Sequence, residues 1–410
     1  MWSERLFELS LTPDRKTLLG NLHLTKDDLL HPGFEWNHQI PQIEDEPARV
    51  RALSISAFLG EAIRQAVLDE VLIAFQGVTT KDLFLRGSAA TGFFPLGDFD
   101  ISHYGPGAEY SPDKWPQQLM GVPISWGNVP LEELSECMNS SLRMSASALE
   151  AIPISQTTKE VSEIIDSAKQ SLKGPRKYYY LIFRRFEQLR DRFEVNKYLE
   201  GYDLRKEVPG GKRTIQRICW TMQAIDGDLS GEVNPDIVLM RGYYKGAIPL
   251  EVVENAFQVM LMLKGGLYSE SRFSASTTVV QNWYLSHLIP RAEREIQNHI
   301  DPKFLLRSEV AMNVNSPPGD ISQVIYDSKK QDEPYKKWLL LWIVSHNPSL
   351  DPECQYDLWR SCLGKMVYRN TLRNLLRNPN FPIGKVTRNE VEYDQHLLDC
   401  YERMTATNHR

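Results

Sequence analysis

Two aspartates one residue apart, Asp98 and Asp100, follow a Gly87-Ser88 pair that ends the apolar run Leu83-Phe84-Leu85-Arg86. Side chains alternate across a strand, so Asp98, Asp100 and Ser102 are expected on one face and Phe99, Ile101 and His103 on the other. Two hard oxygen ligands side by side suit a divalent cation, Mg²⁺ or in its place Mn²⁺, bridging the phosphates of a nucleoside triphosphate. Gly87 has no Cβ, which lets backbone amides approach a phosphate. The turn is expected to open a short helix whose N-terminus favours anionic oxygens. An isolated Asp-x-Asp would equally suit a polar strand face or a solvated loop. An apolar strand, Gly-Ser, a small-residue stretch, Gly97 and an acid-alternating strand together are far rarer, and they point to a site that moves a nucleotidyl group.

These residues must be held by a small sheet and a covering helix. Asp45-Glu46-Pro47 supplies a capping acid and a first-turn proline. Leu53, Ile55, Phe58, Leu59, Ile63, Val67, Val71 and Leu72 then recur at helical spacing, so this helix is expected to pack on the sheet bearing Asp98 and Asp100. A further strand is expected at Val122 to Ser125, and a helix opened by Pro130 is expected to run through Leu149. From Thr157 onward the pattern is helical, with loops at Gly227 to Pro235, Asn313 to Gly319 and Asn347 to Pro352. The expected class is α+β. Its expected parts are an N-terminal arm (1–44), a small mixed-sheet domain (45–155), a helical domain (156–300) and a C-terminal helical region (301–410).

With 410 residues, 42% hydrophobic and 24% charged, the chain can bury more than one core. The longest apolar run, Trp338 to Val344, is too short to cross a bilayer, and the Met-Trp-Ser-Glu-Arg start lacks the regions of a signal peptide. A cytoplasmic protein with no membrane partner is expected. Cys137, Cys219, Cys354, Cys362 and Cys400 are scattered without a Cys-x-x-Cys pair, so reduced packing thiols are expected rather than zinc ligands or disulfides. A formal charge of −6 argues against broad affinity for nucleic acid. The cations around Tyr178-Tyr179-Tyr180 read as a solvated face with its aromatic stripe turned inward.

A second signature runs from Asp203 to Gln216, with Lys206, Pro209-Gly210-Gly211 and Arg213, and Trp220 lies one turn further on. Together with Gly87-Ser88 and Asp98-Phe99-Asp100, it resembles the nucleotidyltransferase half of the bacterial uridylyltransferases that modify the nitrogen-regulatory protein PII. That family carries a lysine, then Pro-Gly-Gly-Leu-Arg-Asp-Ile-Gln and a tryptophan. Lys206, Pro209, Gly210, Gly211, Arg213, Ile215, Gln216 and Trp220 match in place, and the likeness extends from about residue 50 to residue 290. The resemblance implies a polymerase β-like nucleotidyltransferase domain that transfers UMP or AMP from a nucleoside triphosphate to a protein hydroxyl. Asp98 and Asp100 would hold the metal, and Gly87, Ser88, Lys206, Gly210, Gly211 and Arg213 would contact nucleotide or acceptor. Tyr393-Asp394-Gln395-His396-Leu397 is similar to the entry of the family's phosphohydrolase domain, but the chain ends soon after. The hydrolase and sensing domains are therefore expected to be absent.

Lys212 and Thr214 replace the family's leucine and aspartate on either side of Arg213, and Gln117 to Pro130 contains no acid that would serve as a third carboxylate. Glu132 and Glu133 are the nearest acids, in a first helical turn where acids are common. Two alternatives stand beside transfer to a protein: transfer to a small molecule or an RNA end, against which the acidic charge weighs, and a catalytically degenerate nucleotide-binding regulator.

Overall fold

Asp45 accepts a hydrogen bond from the Ala48 amide at 3.0 Å and Pro47 lies in the first turn, so helix α1 (Glu46–Ala74) begins where the capping acid and proline predict. The structure, a computed structural model, describes residues 44–92, 98–105, 116–119, 121–190, 208–227, 234–265 and 270–408. The expected N-terminal arm and Lys206 lie outside them.

Within these residues α1 leads into strand β1 (Leu83–Arg86), the short helix α2 (Gly87–Thr91) and strand β2 (Phe99–Tyr104). Strands β3 (Gln118–Leu119), β4 (Val122–Val129) and β5 (Ile152–Pro153) complete a sheet of order β3-β4-β2-β1-β5. Only β2 and β4 run parallel; the other neighbours are antiparallel. The expected strand at Val122 continues to Val129. The helix expected as one piece after Pro130 is two, Leu131–Ser140 and Leu142–Glu150, because the Ser141 hydroxyl accepts from the Met144 amide and restarts it.

Helices α3 (Lys212–Asp226), α4 (Pro235–Tyr244), α5 (Leu250–Gly265) and α6 (Glu270–Trp283) follow. They belong to the same compact unit as the sheet, which gathers described residues 44–131, 147–163 and 208–291. A second unit gathers 132–146, 164–190 and 292–408. The units are not consecutive segments, so the boundaries at 155 and 300 do not describe them. The reason lies in α1, whose residues enter two cores. Val67, Val71 and Phe75 pack with Leu85, Phe99 and Ile101 of the sheet. Leu53 and Ala57 pack with Ile215, Leu239, Val253 and Phe257 of the helices. Burying each large side chain contributes about 1.5–3 kcal/mol, enough to bind distant segments of sequence into one body.

In the second unit, the apolar run identified in the sequence, Trp338 to Val344, is wholly buried and forms the later part of helix Pro334–Val344. Phe183 meets Trp342 with ring centroids 4.7 Å apart, and Tyr179 and Tyr180 turn inward as expected. Two of the nearby cations are buried rather than solvated. Arg176 donates to the Met138 carbonyl and the Ser145 hydroxyl, and Arg184 pairs with Glu187 beneath the Tyr180 ring. Asp394, in the stretch likened to a hydrolase entry, is buried, pairs with Arg369 and accepts from the Leu397 amide at the start of helix Gln395–Asn408. Its visible role is a helix cap.

All five cysteines are free thiols. Burial, with Glu133 and Glu136 nearby, pushes the Cys137 thiol up to about 12, and burial pushes Cys362 up to about 11. Burial likewise raises Cys219. Cys354 alone is not fully buried. The thiolate is the reactive form, so Ellman's reagent at pH 8 is expected to label one thiol promptly. Cys354→Ser should remove that signal, and the remaining thiols should react only in denaturant.

Candidate functional site

In an antiparallel pair, residues directly opposite each other project to the same face. Arg86 lies opposite Asp100 and Phe84 opposite Ser102. On the other side of β2, Ser125 pairs with Asp100 and Gly127 with Ser102. One face of the sheet therefore carries Arg86, Asp100, Ser102, Ser125 and Gly127. The opposite face, with Leu83, Leu85, Phe99 and Ile101, is sealed by α1 and α2. Asp98 stands half-buried just before the first residue of β2, two positions from Asp100.

At the end of β1 the backbone turns sharply at Gly87, with φ +66°, and enters α2. A Cβ on Gly87 would lie 2.1 Å from the Asp100 Oδ2, so only glycine permits the bend to rest against that carboxylate. Arg64 of α1 steadies the other end of α2. Its Nη1 donates to the Ala90 carbonyl at 3.1 Å while the guanidinium pairs with Glu61, which also accepts from Asn234 at the start of α4. The start of β1 is held by Asp82, whose carboxylate accepts from the Thr158 amide (2.6 Å) and hydroxyl (3.0 Å). Burial lowers the pKa of His103 on β2, and Asp82 opposes that shift.

The second signature reaches the same place through a residue that departs from the family pattern. Gly211 caps α3, and Lys212, only 6% exposed, extends its Nζ to 3.3 Å from the Ser88 hydroxyl. The structure thus brings Gly87, Ser88, Asp100 and Lys212 together. Gly210 has a different task. Its amide donates to Thr214 Oγ1 and Gln281 Oε1, both at 3.0 Å, and a Cβ there would lie 1.8 Å from the Thr277 carbonyl oxygen. Glycine at 210 is thus explained by packing on α6, and its amide is already engaged, which removes the reason for assigning it to nucleotide. Arg213 donates to Gln216 on its own helix at 3.0 Å, and Trp220 donates to Glu150 at 2.7 Å.

Sequence reasoning missed Lys212 and Arg86. Lys212 is in phase with Ile215, Cys219 and Met222, all buried, and a cation on an apolar stripe was the available signal. Arg86 is harder to find, since its meaning comes from pairing with β2. A Cβ added at Gly127 would lie 3.2 Å from Arg86 Nη2 and 3.1 Å from Ser102 Oγ, so the guanidinium lies over the β4 position beside Ser102. Its Nε is buried without a hydrogen-bond partner, and no ion pair to Arg86 is found among the described residues.

Glu132 and Glu133, the acids that follow β4 in sequence, belong to the other compact unit, where Glu133 accepts from the Met366 amide. Among the described residues no group of three His, Cys, Asp or Glu side chains could hold a metal. Asp98 and Asp100 are the oxygen donors that could hold Mg²⁺, and such a pair would leave positions for phosphate oxygens and water. No helix among the described residues is long and apolar enough to cross a membrane. No protein-family model matches the sequence, and no curated protein or solved structure matches it.

Proposed function

We propose that the chain is a Mg²⁺-dependent nucleotidyltransferase that moves UMP or AMP from a nucleoside triphosphate to a hydroxyl of a protein acceptor. The observation that carries the reading is the Gly87–Ser88 bend seated against the Asp100 carboxylate, with the Lys212 ammonium beside Ser88. A glycine-serine bend, a short helix, hard oxygen ligands and a buried cation are the parts needed to grip a triphosphate. Asp98 and Asp100 would hold Mg²⁺, which supplies charge neutralisation to the phosphates when bound. Ser88 and the amides at the start of α2 orient non-bridging oxygens, and Lys212 neutralises one of them. The acceptor hydroxyl oxygen forms its bond to the α-phosphorus as the bond to pyrophosphate breaks, and its proton passes to solvent. This reading includes a polymerase β-like form for the sheet domain, which the α+β architecture and the helix-bearing Gly-Ser bend support.

Purified protein incubated with each α-³²P nucleoside triphosphate, Mg²⁺ and cell extract tests the reading. Label on a protein band, lost on chelation by EDTA, is expected. Label on RNA or on a small molecule would redirect the acceptor, and the absence of any transfer would reject the enzyme. A second reading, nucleotide binding without transfer, is favoured by one observation: β4 presents Ser125 and Gly127, not an acid, beside Asp100 and Ser102.

A further inference from the structure

Among the described residues, the Arg86 guanidinium has no role in the site as built so far. It stands directly opposite Asp100 in the β1–β2 register. Its Nε is buried without a partner, and Nη2 lies over Gly127 beside the Ser102 hydroxyl, which is 1% exposed. A guanidinium N–H buried without an acceptor is held at a cost that an anionic oxygen would relieve. A planar cation with free donors at the edge of an acidic strand is matched to a phosphate oxygen, which it can hold by charge-assisted hydrogen bonds.

Its position adds a second argument. Sites that transfer phosphoryl groups with two divalent ions place them about 3.5–4 Å apart and surround them with several carboxylates. Here β4 contributes no acid, and the space over Gly127 is taken by a permanent positive charge. A second divalent ion there would face that charge, and among the described residues no group of three acidic, His or Cys side chains is available to offset it. We propose that Arg86 takes the place of a second metal ion, so that the site binds a nucleoside triphosphate with one divalent cation on the aspartate side and the Arg86 guanidinium on the β4 side. The proposal rests on the nucleotide reading above and holds whether or not transfer follows.

Equilibrium dialysis of the full chain against MnCl₂ and radiolabelled α,β-methylene analogues of UTP and ATP, with manganese measured by atomic absorption, tests it. The wild-type chain should retain one Mn²⁺ and one analogue. Arg86→Gln should weaken analogue binding at least tenfold, with Arg86→Lys restoring part of the loss. The ligand-free melting temperature of Arg86→Gln should stay level or rise, because the variant removes an unsatisfied buried donor. Two Mn²⁺ per wild-type chain would overturn the assignment, as would unchanged analogue affinity in Arg86→Gln. A lowered melting temperature with unchanged affinity in the folded variant would make Arg86 a purely structural residue. Failure of the wild-type chain to retain any analogue would instead reject the nucleotide reading, and this inference with it.

Discussion

Gly210→Ala is expected to lower stability by about 3–5 kcal/mol, the largest loss from any single methyl group considered in this fold. Two costs combine. Gly210 has φ +80°, where a side chain adds roughly 1 kcal/mol of strain, and its Cβ would lie 1.8 Å from the Thr277 carbonyl oxygen. That oxygen belongs to the backbone of α6 and cannot rotate away, so the loop or the helix must move. Movement would also break the bonds from the Gly210 amide to Thr214 and Gln281. Against a typical total of 5–15 kcal/mol, a fall in melting temperature of roughly 10 °C should be visible by circular dichroism. A variant that melts within about 2 °C of the wild type would show that the loop does not rest on α6 as described.

The second large effect concerns chemistry. Asp98→Asn with Asp100→Asn should reduce nucleotide transfer at least about 10³-fold, equivalent to ~4 kcal/mol of barrier, and should abolish Mn²⁺ retention in the presence of analogue. Asparagine preserves shape while removing the charge, so the fold should survive. Gly87→Ala should reproduce much of the binding loss while leaving both acids in the chain. Its methyl group would displace the Asp100 carboxylate, and φ +66° adds strain at the bend. Full transfer by the double variant would reject these aspartates as metal ligands.

How far the sequence alone reaches follows from which interactions are local. The cap at Asp45, the bend at Gly87 and the alternation along β2 depend on neighbours a few residues apart, and all three stand in the structure as their spacing predicts. The restart at Ser141 was also a local signal, a capping serine hidden inside a continuous apolar pattern. Other features arise only when distant segments meet. Arg86 becomes notable through its register with Asp100 and its approach to Gly127, and neither can be read from the strand that carries it. Lys212 reaches Ser88 across 124 positions of chain. The association of the sheet with α3 to α6 likewise depends on which length of α1 each core claims.

That division of α1 has a practical outcome for anyone dissecting the protein. Excising residues 45–155 as a minimal catalytic fragment would strip Leu53 and Ala57 of their companions Ile215, Leu239 and Phe257, exposing a greasy stripe along half of the long helix. Such a fragment would aggregate or fray from its amino end, and the Gly-Ser bend would lose Lys212 as well. The smallest piece that keeps the Gly-Ser bend, Lys212 and the packing of Gly210 together must therefore reach at least to Trp283, where the helix bearing Thr277 and Gln281 ends.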